Sequence, residues 1–324
     1  MNPLFDPAVQ IQVTCHSPEE FQEKVIGWDI EHLQLSRGIY QSSMDIVHTS
    51  NMQLTKAVHH VGICERGGTI PGSVIIALPF LAPGTARPYY CGAQLADEEC
   101  PVLLSGAEYE ILSSGTEMDI AITLNGKILD TEAILLTGQP FASLVRSHRV
   151  RIKRQHQLNL VQSISIIMQA LKKHSTSLLI EKQTQLEKQL VQQLLVSIIP
   201  PPRNKKSPPN RSQVARKAEL LIRQQPQQKL TIEQICNLVG CSARSLHLGF
   251  KECYGTTPRH YAHTVALNAA RSQFFQHPIE KNISDTALGL GFVHLGRFSQ
   301  QYKQLFDELP RETVERNRKI EASL

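Results

Sequence analysis

The stretch Ile283–Pro310, ISDTALGLGFVHLGRFSQQYKQLFDELP, constrains the fold of this chain more than any other. Ile283, Ala287 and Leu290 fall at i, i+4 and i+7, one face of a short helix. Gly291 follows, a residue free to take the left-handed conformation that a sharp interhelical turn needs. Leu295, Phe298, Tyr302, Leu305 and Phe306 then recur at steps of three and four, marking a second helix that Leu309-Pro310 closes. Two short helices across a tight glycine turn form the helix-turn-helix pattern, whose second helix enters the major groove of DNA. Taken alone, the pattern fits a plain packing hairpin equally well.

A second copy decides between these. Thr231 is placed to cap a helix from Ile232, with Gln234 completing the capping box. Ser242 opens the next helix, which runs to Tyr254 and is followed by Gly255 and Pro258. Ile232, Cys236 and Gly240 match Ile283, Ala287 and Gly291 at an offset of 51. Phe250, Tyr254 and Pro258 match Tyr302, Phe306 and Pro310 at 52. A supporting helix is predicted at 212–224, and a long connecting helix at 258–276 carries Tyr261, Val265, Leu267 and Phe274 before His277-Pro278 stops it. Caps, turn glycine and terminal proline repeated in register favour DNA binding over packing.

The charge distribution agrees. Residues 1–140 carry 6 Lys/Arg against 17 Asp/Glu, a net of −11, whereas residues 141–202 and 203–324 carry nets of +7 and +9. An acidic front and a basic back suit a chain whose rear half meets a polyanion. Seven cysteines, none in Cys-x-x-Cys spacing, argue for reduced thiols in a cytoplasmic protein. No run reaches the length of a membrane span and the first residues do not form a signal peptide, so no membrane partner is expected.

The front, residues 1–140, is predicted to be β-rich. Ser17, Pro18 and Glu20 start a short helix; strands are expected at 42–47, 53–61, 72–80, 102–104, 109–112 and 118–124, with Arg66-Gly67-Gly68 among the turns. Such a pattern suggests an antiparallel β-barrel or double sheet, cupin-like, able to enclose a small ligand. Within it, chemistry is sparse. His59-His60 with Cys64 and Glu65 could be imagined as metal ligands, but adjacent histidines on a strand point to opposite faces, so no metal site is expected. No phosphate loop, nucleophile elbow or catalytic carboxylate pair is present, so no catalytic residues, cofactor or enzyme activity are expected. Trp28, Arg66, Arg87, Tyr89 and Tyr90 are pocket candidates, with ordinary surface or core placement the alternative.

After a helix at 126–138, residues 141–199 read as helical and basic. Leu186, Leu190, Leu194 and Ile198 form a strict i+4 stripe that could pair two chains as a homodimer or pack on the chain's own front half. Residues 200–211 form a basic linker rich in proline, beyond which 212–324 should fold separately. The fold class is thus α+β and multidomain: a β-rich front, a central helical pair and an all-α rear.

Residues 212–317 resemble the AraC/XylS-type bacterial transcription regulators. The resemblance rests on Ser242-x-Arg244-x-Leu246-x-x-x-Phe250, Gly255-x-x-Pro258-x-x-Tyr261, Ala270-Arg271, and Ala287-x-x-x-Gly291-Phe292 continuing to Phe298, Tyr302, Phe306 and Pro310. In that family two hairpins held apart by a linking helix read successive major-groove faces. Carried over by position, this implies base readout by Ala243, Arg244, His247 and Leu248 in the first recognition helix, and by Leu295, Gly296, Arg297, Gln300 and Gln301 in the second. Arginine pairs with guanine and glutamine with adenine edges, which suits these positions; Lys251 and Lys303 would hold phosphates. Leu248 stands where arginine is frequent, and Ala266 replaces a common arginine, which shifts expected specificity towards the second helix.

The segment Gly291–Phe298 looks like the ethanolamine-utilisation branch, which would imply ethanolamine or cobalamin as effector. The resemblance implies an activator of promoter DNA, with RNA polymerase as a further partner and a small-molecule effector sensed by the front half through unidentified residues. The alternatives are a constitutive regulator whose front half only dimerises, and a barrel enzyme tethered to DNA.

Overall fold

The computed structural model describes all residues except 1–4, 8, 26–29, 174–179, 200–209, 225, 228–229, 277–281 and 322–324. Trp28, His277-Pro278 and nearly all of the proline-rich linker therefore lie outside the described residues. The front half begins with β1 (Gln10–Cys15), α1 (Pro18–Lys24), β2 (Glu31–Gln34), β3 (Ser42–His48), β4 (Met52–His59), β5 (Ile63–Gly68) and β6 (Ser73–Leu81). It continues with β7 (Tyr89–Tyr90), β8 (Ala93–Gln94), β9 (Glu99–Leu103), β10 (Glu108–Leu112), β11 (Glu117–Asn125) and α2 (Gly126–Thr137). Next come β12 (Arg149–Ile152), α3 (Arg154–Lys173), α4 (Ile180–Ser197) and β13 (Ile198–Ile199). The rear half holds α5 (Asn210–Gln224), α6 (Ile232–Val239), α7 (Ala243–Tyr254), α8 (Pro258–Gln276), α9 (Ile283–Gly289), α10 (Leu295–Phe306) and α11 (Pro310–Glu321).

Among the described residues the strands form two antiparallel sheets, ordered β1-β3-β4-β11-β6-β9-β12-β13 and β2-β5-β10-β7-β8. Neither closes on itself, so of the barrel and the double sheet that the sequence allowed, the front half forms an open double sheet. Alternation along β11 explains the layering. Ile120, Ile122 and Leu124 point to one side, into a core shared with α2, α3 and α4. Ala121 points to the other, where it meets Tyr109 and Ile111 of the second sheet. The second sheet is in turn covered on its far side: Leu33, Cys64 and Leu112 pack with Ala215, Ala218, Phe250 and Tyr261 of the rear helices.

Several expectations need correction. Arg66-Gly67-Gly68 is not a turn but the end of β5, paired in register with Glu110, Tyr109 and Glu108 of β10. Arg149–Ile152 is not helical: Val150 and Ile152 are buried on one side while Arg149 and Arg151 lie on the other, Arg149 held by Glu99 and the Tyr90 carbonyl, a period of two that makes a strand between β9 and β13. The leucine stripe of α4 is spent within the chain, since Leu190, Leu194 and Ile198 are buried in the first-sheet core with Leu186 packed against it. Ser17 does cap α1, accepting from the Glu20 N–H, while the Glu20 carboxylate accepts from the His16 N–H at 2.6 Å.

The front and rear halves meet across a desolvated ionic cluster. The Arg66 guanidinium, 8% exposed, donates to Glu110 on the neighbouring strand, to Glu219 of α5 and, at 2.8 Å, to the Tyr261 hydroxyl of α8. Arg223 of α5 pairs with Glu31 of β2. Gln34 reaches further: its backbone N–H donates to Asn268 of α8 at 3.0 Å, and its amide donates to the Leu305 carbonyl of α10 at 2.8 Å.

Inside the double sheet, His59 is 3% exposed and its Nδ1 bonds the Ser42 hydroxyl. Burial, reinforced by nearby His32, pulls its pKa down to about 3. A histidine held neutral when folded contributes stability above its unfolded pKa of about 6.5, and that stability is lost as pH falls towards 3. Between pH 7 and pH 5 the loss amounts to about 2 kcal/mol. Denaturant unfolding of the wild type and of His59→Gln across this range checks it: the variant should show a shallower acid slope, by about one proton.

Candidate nucleic-acid interface

Each rear hairpin is built from local signals. Thr231 and Gln234 close a reciprocal capping box at the start of α6, and Gly240 ends it in the left-handed region at φ 69°. Ser242 then caps α7 by accepting the Ser245 N–H. The inward face of α7 carries Leu246, Phe250, Cys253 and Tyr254. Gly249 is on that face for a steric reason: a Cβ there would lie 2.7 Å from the Arg211 carbonyl, so α5 and α7 approach only over glycine. The second hairpin repeats the scheme, with Asn282 capping α9, Gly291 at φ 80° in the turn, and Phe298, Tyr302, Leu305 and Phe306 on the buried face of α10.

Between them α8 is buried along most of its length. Its Arg271, 4% exposed, pairs with Glu308 at 2.5 Å and Glu19 at 3.6 Å and stacks over the Phe306 ring. Carboxylates and the Tyr302 ring outweigh burial and hold this guanidinium firmly charged. α11, absent from the sequence expectations, braces the second hairpin through Tyr302 Oη and Thr313 Oγ1 at 3.0 Å. Its signal was present: Pro310 at the first helical position, and Glu312 accepting the Leu309 N–H at 2.6 Å.

The residues expected to meet DNA lie on the outer faces of the two second helices. Ala243, Arg244, His247, Leu248 and Lys251 are exposed on α7, and Leu295, Gly296, Arg297, Gln300 and Lys303 on α10. Arg244, Lys251, Arg297 and Lys303 make no ion pair among the described residues. His247 Nδ1 donates to the Ala243 carbonyl at 3.0 Å, which leaves Nε2 free on the outer face. Gln301 is different. It is half-buried, with Oε1 2.9 Å from His263 Nε2 of α8, so its amide is engaged inside the protein. Both second helices thus present one buried aromatic face and one outer face bearing guanidinium, amide and ammonium groups.

Two pocket candidates sit at the front–rear junction, and Arg66 also lines a cavity there with Glu31, Thr69, Glu108, Tyr109 and Arg223. Arg66 forms the cluster described above. Tyr89 lies against the end of α7, its ring 3.0 Å from where a Gly255 Cβ would stand and its hydroxyl 3.5 Å from the Lys251 carbonyl. No sequence pattern marks such contacts, because their partners are more than 150 residues apart. Among the described residues no cluster of His, Cys, Asp and Glu is arranged to hold a metal, and no helix is long and apolar enough to cross a membrane.

Residues 235–316 match a family model described as a helix-turn-helix domain. The probable thc operon regulatory protein of Rhodococcus erythropolis is 37% identical over 89 residues, covering 27% of each chain. The XylDLEGF operon transcriptional activator 2 of Pseudomonas putida is 34% identical over 94 residues, covering 29% of this chain and 60% of the relative. This chain therefore spans less than two thirds of either relative. A solved structure of a probable AraC family transcriptional regulator from Rhodopseudomonas palustris is 30% identical over 32% of this chain and 97% of its own, with a TM-score of 0.31.

The turn glycine of the first hairpin offers a direct check. Gly240 has open space around its missing Cβ, so only its positive φ demands glycine. Gly240→Ala should cost about 1–2 kcal/mol of stability, and Gly240→Asn distinctly less, because asparagine tolerates the left-handed region. Chemical denaturation of the two variants separates this from a mere packing effect, which would penalise the larger asparagine more.

Proposed function

We propose that this chain, an AraC/XylS-type transcription regulator, binds promoter DNA in a sequence-specific manner through both rear hairpins and activates transcription in response to a small molecule sensed by the front double sheet. The observation that carries the reading is the pair of second helices, each burying an aromatic face and leaving a polar, cationic face unpaired. Arg244 and Arg297 are suited to bidentate contact with guanine O6 and N7, and Gln300 to adenine N6 and N7. Leu248 and Leu295 would meet thymine methyls. Gly296 lets the backbone come close, and Lys251 and Lys303 would neutralise phosphates, positioning the helices without reading sequence.

The geometry sharpens the division of labour. Gln301 is held by His263, so polar readout in the second hairpin concentrates on Arg297 and Gln300. The first hairpin offers Arg244 and His247 Nε2. Contacts from sheet to α5, α8 and α10 give the front half a grip on both hairpins, a route by which an effector that binds one arrangement better than another would change DNA affinity. The chemistry of such a regulator needs no catalytic centre. RNA polymerase and a second copy of the chain remain its proposed partners.

Fluorescence anisotropy with the full chain tests this. Binding to duplex DNA should weaken steeply with salt as counterions are released, and absence of binding at low salt would overturn the reading. Arg297→Ala should cost about 1–3 kcal/mol on the preferred site and little on random duplex. An equal loss on both would assign Arg297 to phosphate.

A further inference from the structure

The inner faces of the two sheets carry an unusual set of side chains. Strand register fixes which they are. On β11, Glu117 pairs with His59, Asp119 with Ala57, and Ala121 with Thr55 of β4; on the other flank Asp119 pairs with Pro79 and Ala121 with Ala77 of β6. Paired residues share a face, so the middle of the first sheet presents small side chains around Asp119, with His59 and Leu81 flanking Glu117. The facing sheet adds Glu65, whose oxygens are taken by His32 Nδ1 at 3.2 Å and the Tyr109 hydroxyl at 2.7 Å.

The carboxyls of β11 are not so provided for. Asp119 makes no hydrogen bond among the described residues. Glu117 is 1% exposed and neither of its oxygens has a partner in good geometry, although the Ser113 hydroxyl is close enough to draw its pKa down somewhat. Further along the same face, the Thr123 hydroxyl is fully buried and also unpartnered. Unpaired buried carboxyls are costly unless a ligand completes them. Asp119 and Ala121 keep partial solvent contact on a central strand whose other face lies under helices.

We propose that the space between the two sheets binds a small organic cation, a molecule presenting a protonated amine to Asp119 and Glu117 with Glu65 nearby. This rests on the reading of the front half as the sensing part. By strand parity no Lys or Arg shares the inner faces of β3, β4, β5, β6, β10 or β11; Arg149 of β12 lies on the inner side further along the sheet, where Glu99 and the Tyr90 and Ala93 carbonyls already hold it. His59, on the same face, is kept neutral by burial. Burial and then Glu65 push Asp119 upward, and burial and then Asp119 push Glu117 upward, so the pair holds protons that an incoming cation displaces.

The test uses the full-length protein with propylamine and putrescine as probes and propanol and propionate as isosteric controls. Thermal melts at neutral pH should show a saturable rise of several degrees with the amines and none with the controls. Calorimetry in two buffers of different ionisation enthalpy should show protons released on amine binding. The double variant Asp119→Asn, Glu117→Gln should fold with a melting temperature at or above that of the wild type, because it removes buried acids, and should lose the amine response. No saturable amine effect, equal effects from propanol or propionate, or a response that survives in the double variant would each overturn the proposal. DNA binding measured without amine keeps the two readings apart: intact DNA binding with no amine response sinks only this inference, and an amine response in a chain that binds no DNA sinks only the regulator reading.

Discussion

Arg66 sits where the two halves of the molecule would otherwise part. Its guanidinium is nearly sealed from solvent and touches a carboxylate from the front sheet, a carboxylate from α5 and the hydroxyl of Tyr261 on α8. A buried cation of this kind adds little net stability against an apolar substitute, yet removing one partner strands the others at a cost of about 3–5 kcal/mol. Its value lies in geometry. Only one seating of α5 and α8 on the sheet satisfies all its partners, and the apolar contacts of Leu33, Cys64 and Leu112 around it supply the burial that holds the seating. Burial and then the adjacent Glu110 push Glu219 above the ordinary carboxylate range, with Arg66 opposing, which marks how closely charge is packed at this joint.

From that joint the geometry of both hairpins follows. α5 supports α7 across Gly249, and α8 runs from the first hairpin to the second with its buried face continuous into both cores. Gln34, on the same front strand as Glu31, touches α8 and α10 together. The front half therefore contacts the framework that sets the spacing of the two outer faces, and its β7–β8 hairpin also packs against α7, with Tyr89 beside the end of that helix. A change between the two sheets has a short physical path to the second helices, through β5 and β2.

Much of the rear half was legible in the sequence because its information is local. Caps at Thr231 and Ser242, left-handed glycines at 240 and 291 and apolar steps of three and four each act within one or two turns, and their repetition made the pattern specific. The front strands were legible in part: alternation found β3, β4, β6, β10 and β11, whereas β1, β2 and β5 escaped because their pairing partners supply what their own residues do not. Gly67 and Gly68 read as a turn, but a strand with neighbours on both sides tolerates them. β12 was hidden inside a basic run, because the contacts that hold Arg149 come from distant strands. The outer residues of the candidate interface were found by position, but the engagement of Gln301 by His263 and the placement of Arg66 and Tyr89 at the joint depend on distant contacts. The placing of Asp119 and Glu117 on one inner face, Asp119 among small neighbours, emerges only once register is known.

The central claim is that the two hairpins read DNA together as one rigid unit. Hydroxyl-radical footprinting of the full chain on its preferred promoter tests it most directly. Two protected stretches should appear on one face of the duplex, separated by about 10 base pairs, one helical turn. A single protected stretch, or two whose spacing varies from site to site, would contradict the account.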